Sequence, residues 1–197
     1  MKTGSDKQSN AMAKQILGLG IIMIALLGYP QASCAADVQK APQHPVIKGY
    51  GKVHPYPGVA MQPSAERDYQ VLFDITNAAD APDKVNSGLD HVARLLNLYA
   101  LAGVPADHLK IVLVVHGPAT SIALKNDAYR KLHQRDNPNI EIIHLLNGAG
   151  VKLYICGQAL AEKKLEIASV NPEITLAVSA LTVLVDYQLD GYALIPN

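Results

Sequence analysis

The chain has two cysteines, Cys34 and Cys156, in very different surroundings. Cys156 follows Val151-Lys152-Leu153-Tyr154-Ile155 and precedes Gly157. Apolar residues alternating with Lys152 and Tyr154, rich in β-branched types, predict a strand. Gly157 permits a tight reversal, and Gln158 to Leu165 reads as a short helix. The spacing sets a thiol at a strand's carboxyl end, beside a helix N-terminus whose partial positive charge favours a thiolate. A thiolate is the nucleophile of sulfur exchange. The plain alternative is a small buried apolar residue, since free cysteine is among the most buried residue types.

Three other polar side chains fall at strand ends. His116 closes the run Lys110-Ile111-Val112-Leu113-Val114-Val115, where it can accept a thiol proton or simply contact a loop. Asp74 closes Tyr69-Gln70-Val71-Leu72-Phe73. It either orients His116 or caps the loop that follows, and the cap is the favoured reading. Ser179 is read as a helix N-cap rather than a nucleophile, because no G-x-S-x-G elbow surrounds it. The candidate chemistry is thus Cys156 with His116, and Asp74, Gly157, Gln158 and Ser179 are possible crevice residues. The seven histidines show no H-x-x-H or H-E-x-x-H spacing, so solvated histidines are expected rather than a metal site. No G-x-G-x-x-G or P-loop occurs, so no nucleotide or flavin cofactor is expected.

Five strands must position these residues: 69–75, 110–116, 151–155, 174–178 and 192–196. Between them the pattern predicts helices over 88–102, 123–134, 140–147, about 159–168 and 180–189. Leu89, Val92, Ala93, Leu96 and Tyr99 recur at helical spacing, with Asn86 or Ser87 as the cap. The unbroken apolar run 111–115 suits a strand covered on both faces. Alternation of strands and helices implies a three-layer α/β/α fold around a mainly parallel five-stranded sheet, of the flavodoxin-like class. Ligand crevices of such sheets open beyond the carboxyl ends of the strands. Asp74, His116 and Cys156 then line one rim.

The 197 residues suit one main domain, and 49% hydrophobic content allows a sizeable core. Lys plus Arg and Asp plus Glu number 17 each, with no basic cluster, and the chain has no Trp and one Phe. Nucleic-acid binding, which needs cationic surface or stacking aromatics, is therefore not expected. Lys2, Lys7 and Lys14 precede the apolar stretch Ile16 to Leu27, which is short for a membrane span. Residues 1–35 read as a cleaved signal peptide with Ser33-Cys34-Ala35 at its end. An uncleaved anchor and lipidation at Cys34 are the alternatives. Cleavage leaves Cys156 as the single cysteine of a periplasmic chain without a membrane span. Residues 36–65, rich in Pro, Gly and His, read as an extended arm packed on the domain or on a neighbouring subunit, and 66–197 as the α/β domain.

From Asp68 to Asn197 the chain resembles the DsrE/DsrF-like family, which includes intracellular sulfur-relay subunits and YchN-like proteins. The resemblance lies in Val112-Leu113-Val114-Val115-His116-Gly117, in Gly150-Val151 to Ile155-Cys156-Gly157, and in Ser179-Ala180-Leu181, Gln188 and Gly191-Tyr192. It implies a DsrEFH-like sheet, assembly as homo-oligomeric trimers or hexamers, and a sulfur donor or acceptor protein as partner. In relay members a cysteine after the third strand carries sulfane sulfur as a persulfide, and Cys156 matches that position. Gln158 stands where those members have a small aliphatic residue, and the export segment and the arm are additions. The function expected from the resemblance is sulfur carriage or thiol handling by Cys156. The alternative is a non-catalytic oligomeric module that binds a small ligand or partner and keeps Cys156 as a structural residue.

Overall fold

The computed structural model describes residues 41–197. The expected signal segment 1–35, with Cys34, and the first residues of the arm lie outside the described residues.

Five parallel strands form one sheet: β1 (Tyr69–Ile75), β2 (Leu109–Val115), β3 (Lys152–Cys156), β4 (Thr175–Ala177) and β5 (Ala193–Pro196). Their order is β4-β3-β2-β1-β5. Register is set residue by residue, with Asp74 opposite Val114, Val115 opposite Ile155, and Cys156 opposite Ala177. The helices are α1 (Ser87–Leu101), α2 (Asn126–His133), α3 (Ile140–Gly148), α4 (Gly157–Glu162) and α5 (Ala180–Leu189). This is the three-layer α/β/α architecture expected from the alternation of the sequence.

Each inner strand is apolar on both sides because both sides are covered. Val71, Phe73, Ile75, Ile111, Leu113, Val115, Leu153 and Ile155 face one core, with Leu89, Val92 and Leu96 of α1 and Ile142, Ile143 and Leu146 of α3. Leu72, Val112, Val114 and Cys156 face the other, a smaller core closed by Ala180 and Val183 of α5. A period of two along each strand sorts the residues between the faces. It is this alternation that assigns Cys156 to the α5 side.

Some boundaries depart from the sequence pattern for local reasons. The stretch expected to turn at 117–119 continues as a 3₁₀ helix, Gly117–Ala123. Extended Leu124 then makes a lone bridge to Val170, so the helix expected from 123 begins at Asn126. After Cys156 the helix is brief. It ends at Glu162 because Lys164 takes a left-handed conformation, φ 55°, and Leu165 N–H closes back on the Leu160 carbonyl.

The arm packs on α1, where the buried side chain of Asn97 holds its backbone. Asn97 Oδ1 accepts from Val46 N–H (2.9 Å) and Ile47 N–H (3.0 Å). Its Nδ2 donates to the carbonyls of Tyr50 (3.0 Å) and Gly51 (2.9 Å). All four hydrogen-bonding capacities of the amide are used on arm backbone. Gly51 adopts φ +58° and lies so close to α1 that a Cβ there would sit 2.2 Å from Arg94 N. Its N–H donates to Asp90 Oδ1 at 2.7 Å.

Candidate functional site

The carboxyl ends of β1, β2 and β3 bring three of the candidate residues to one edge. His116 continues the ladder past β2, donating its N–H to the Ile75 carbonyl at 3.0 Å. Its backbone is extended, φ −157°, and the chain turns at Gly117 with φ +55°. Alternation from Val114 and from Leu72 puts His116 and Asp74 on the same face as Cys156. Val115 pairs with Ile155, so His116 and Cys156 each stand one residue beyond a paired position on adjacent strands.

His116 Nε2 lies 2.6 Å from Asp74 Oδ1, and the side chains are 26% and 22% exposed. Of the two readings of Asp74, the structure has the contact to His116. A carboxylate only accepts, so Nε2 is the ring nitrogen that donates to it. Asp74 is itself fixed from behind, because its carbonyl accepts from Asn197 N–H at 2.9 Å on the β5 side.

Cys156 is a free thiol, 5% exposed. Among the described residues its Sγ has no hydrogen-bond partner. Leu72, Val112, Val114, Ala159, Ala180 and Val183 share its cluster. It sits at the N-cap of α4, a helix of six residues.

The remaining candidates serve the packing of α4 and α5. A Cβ on Gly157 would meet the Ala177 carbonyl oxygen at 3.0 Å, so the missing side chain lets α4 begin against the end of β4. Gln158 Nε2 donates to the Val178 carbonyl at 3.1 Å. Ser179 Oγ accepts from Leu181 N–H at 3.2 Å and caps α5. These three residues therefore tie the Cys156 turn to the start of α5. Among the described residues no cluster of three or more His, Cys, Asp or Glu side chains could hold a metal ion.

A tyrosine cluster flanking the thiol was not singled out in the sequence. Tyr154, two residues before Cys156 on the same face, hydrogen-bonds Tyr187 through their hydroxyls at 2.9 Å. The Tyr187 and Tyr192 rings meet edge to face with centroids 4.9 Å apart, and Lys152 Nζ lies 5.9 Å from the Tyr187 centroid. Burial, then the hydrogen bond to Tyr154, pushes the Tyr187 phenol well above its ordinary value. Burial and the nearby Asp190 raise Tyr192 as well. At neutral pH these are neutral phenols, able to donate and accept. The signal available in the sequence was the period of two that puts Tyr154 on the side of Cys156.

Comparison with known proteins bears on the whole sheet. Residues 70–196 match the DsrE/DsrF-like family, from β1 to the end of β5. The ychN protein from E. coli is similar in structure, at 14% identity and a TM-score of 0.48, over 66% of this chain and 99% of that one. A protein of unknown function from Methanobacterium thermoautotrophicum, MTH1491, gives 20% identity and a TM-score of 0.44, over 66% of this chain and all of that one. No curated protein matches the chain. The matched residues include the strand ends that hold Asp74, His116 and Cys156, and by that match the chain belongs to the DsrE/DsrF-like family.

Proposed function

We propose that this protein is an exported sulfur-handling member of its family, in which Cys156 carries sulfane sulfur as a persulfide. One observation carries the reading. The thiol lies at the carboxyl end of β3, beside the strand end whose histidine is held by Asp74. The carboxyl edge of a parallel sheet is where such folds do their chemistry. The apolar stretch 16–27 behind a lysine-bearing start supports export to the periplasm.

The proposed step is an exchange between thiols. The Cys156 thiolate attacks the outer sulfur of a persulfide donor, R–S–SH. A bond forms between Sγ and that sulfur, the donor's S–S bond breaks, and the donor leaves as a thiolate. Cys156 becomes Cys–S–SH and no electrons are gained or lost overall. Neutral His116, with Nε2–H on Asp74, offers Nδ1 to take the thiol proton and to return one to the departing thiolate. The partner is a protein or small thiol that delivers or collects the sulfur.

Incubation with a small persulfide donor, followed by intact mass analysis, tests the reading. The wild-type chain is expected to gain one sulfur atom, and Cys156→Ala none. No gain on wild type, or an equal gain on both, overturns it.

Burial of the thiol favours a second reading. A cysteine 5% exposed among aliphatic side chains can serve as packing alone. The protein is then a binding module without covalent chemistry, and Cys156→Ala changes stability but no sulfur uptake.

A further inference from the structure

We propose that the groove between the arm and the C-terminal end of α1 binds a small uncharged aromatic molecule that carries an O–H or N–H donor. The groove has a volume of about 640 Å³, within the roughly 300–1,000 Å³ typical of small-molecule sites. Tyr56, Val59 and Met61 of the arm wall one side, and Leu98, Tyr99 and Leu101 of α1 the other. The arm wall lies outside the 70–196 family match, so the groove is an addition to the shared fold. It is also remote from the thiol in the architecture, since α1 closes the core on one face of the sheet and Cys156 belongs to the core on the other.

The lining sets the charge of the ligand. No Lys, Arg, Asp or Glu lines the groove. An ionised molecule would shed water there and meet no opposite charge. His54 is the one lining residue whose side chain can take a positive charge near neutrality. Lys48 and Lys52 of the arm stand outside the lining. Arg67 acts on Tyr99 from outside it as well, and Glu66 and Asp68 on either side offset that charge.

The lining also sets the polar group. Pro55, Pro57 and Pro63 bring carbonyls but no N–H, so the backbone of the arm wall accepts more than it donates. The hydroxyls of Tyr56 and Tyr99 have no hydrogen-bond partner among the described residues. Tyr99 is nevertheless half-buried, and burial is the first cause that raises its phenol. A sheltered hydroxyl without a partner leaves hydrogen-bonding capacity unused. A ligand that brings its own donor meets both the carbonyls and the phenol oxygens. The flat faces of tyrosine and proline suit an aromatic ring, and flexible Met61 adapts to its outline.

N-Phenyl-1-naphthylamine tests the site, being uncharged, aromatic and equipped with an N–H. Fluorescence titration of the full chain at about pH 8, above the ordinary range of histidine, should saturate at one probe per chain. Its sulfonated relative 8-anilino-1-naphthalenesulfonate should bind at least about ten-fold more weakly, because the added charge finds no partner. Met61→Glu and Leu98→Glu each put a carboxylate on one wall. The native side chains are 89% and 41% exposed, so the core is spared. Each variant should weaken the probe at least about ten-fold. Leu189→Glu is the control. It removes an apolar side chain of α5 that is 80% exposed, and affinity should not change. No saturable signal overturns the proposal. So does a sulfonate that binds as tightly, a wall variant that binds like wild type, or loss of binding in Leu189→Glu. Sulfur uptake by Cys156 enters none of these readings, so the two proposals fail separately.

Discussion

The 2.6 Å contact between His116 Nε2 and Asp74 Oδ1 joins the ends of β1 and β2. It fixes which ring nitrogen holds the proton and which way the ring points. Asp74→Asn keeps the shape and removes the charge. Stability should fall by about 1–2 kcal/mol, the range for a hydrogen bond to a charged group in partial shelter, as read by chemical denaturation. If His116 serves the thiol, sulfur uptake should also slow several-fold in this variant, with the final extent unchanged. Uptake at the wild-type rate would remove His116 from the chemistry.

Asn97 is the fastening of the arm, and its four bonds make a clear prediction. Asn97→Ala strands the N–H groups of Val46 and Ile47 and the carbonyls of Tyr50 and Gly51. A loss of about 2–4 kcal/mol is expected, since each buried orphan costs about 1–3 kcal/mol and water can reach some of them once the arm lifts. Limited proteolysis should then cut between 41 and 65 while the sheet survives. A variant as resistant and as stable as wild type would mean that the arm is held by something else.

Gly51→Ala should act on the same contact from the other side. Its Cβ would fall 2.2 Å from the Arg94 backbone nitrogen, at a φ of +58° that other residues rarely adopt. Because a helix backbone cannot give way, the arm must. Arm cleavage comparable to Asn97→Ala is expected. Gly58→Ala is the control, since its Cβ would meet nothing within 4 Å. That control shares the unfavourable φ, at +76°, so any difference between the two variants reports the clash.

Tyrosines set the response to alkali. The phenols of Tyr50, Tyr99, Tyr129, Tyr187 and Tyr192 are all raised from 10.0, with burial the first cause in each. The folded state holds these protons more tightly than the unfolded chain does. Their contribution is present in full below about pH 10 and is lost as pH rises through the folded values. Denaturation midpoints should therefore drop steeply above about pH 10, and Tyr187→Phe should flatten that slope. Identical slopes for the two proteins would assign the alkaline loss elsewhere.

Much of the fold could be read from the chain because local and global preferences agree in it. β1 falls on Tyr69–Ile75, and α5 on Ala180–Leu189, as the alternation and the Ser179 cap predict. The misreadings lie where tertiary contacts overrule pattern. Residues 123–125 look helical, yet Leu124 bridges to Val170 and Lys125 N–H bonds the Ser169 carbonyl, so the helix waits for Asn126. The role of Asn97 was invisible because a polar residue on a helix usually faces solvent. Its use as a clamp depends on where a distant arm lands. At the rim, Asp74, His116 and Cys156 were placed by strand ends alone. Only coordinates could add that Asp74 reaches His116 and that Cys156 is packed under α5.

Reactivity of the Cys156 thiol from the folded state is the point on which the functional reading turns. The measurement is the rate of modification by a small chromogenic disulfide, followed against denaturant concentration. The sulfur-carrier reading predicts labelling of the native protein at a rate that does not depend on denaturant below the unfolding transition. Labelling that occurs only as fast as the whole domain unfolds, rising in step with the denaturant-driven transition, would contradict it and leave Cys156 as a packing residue.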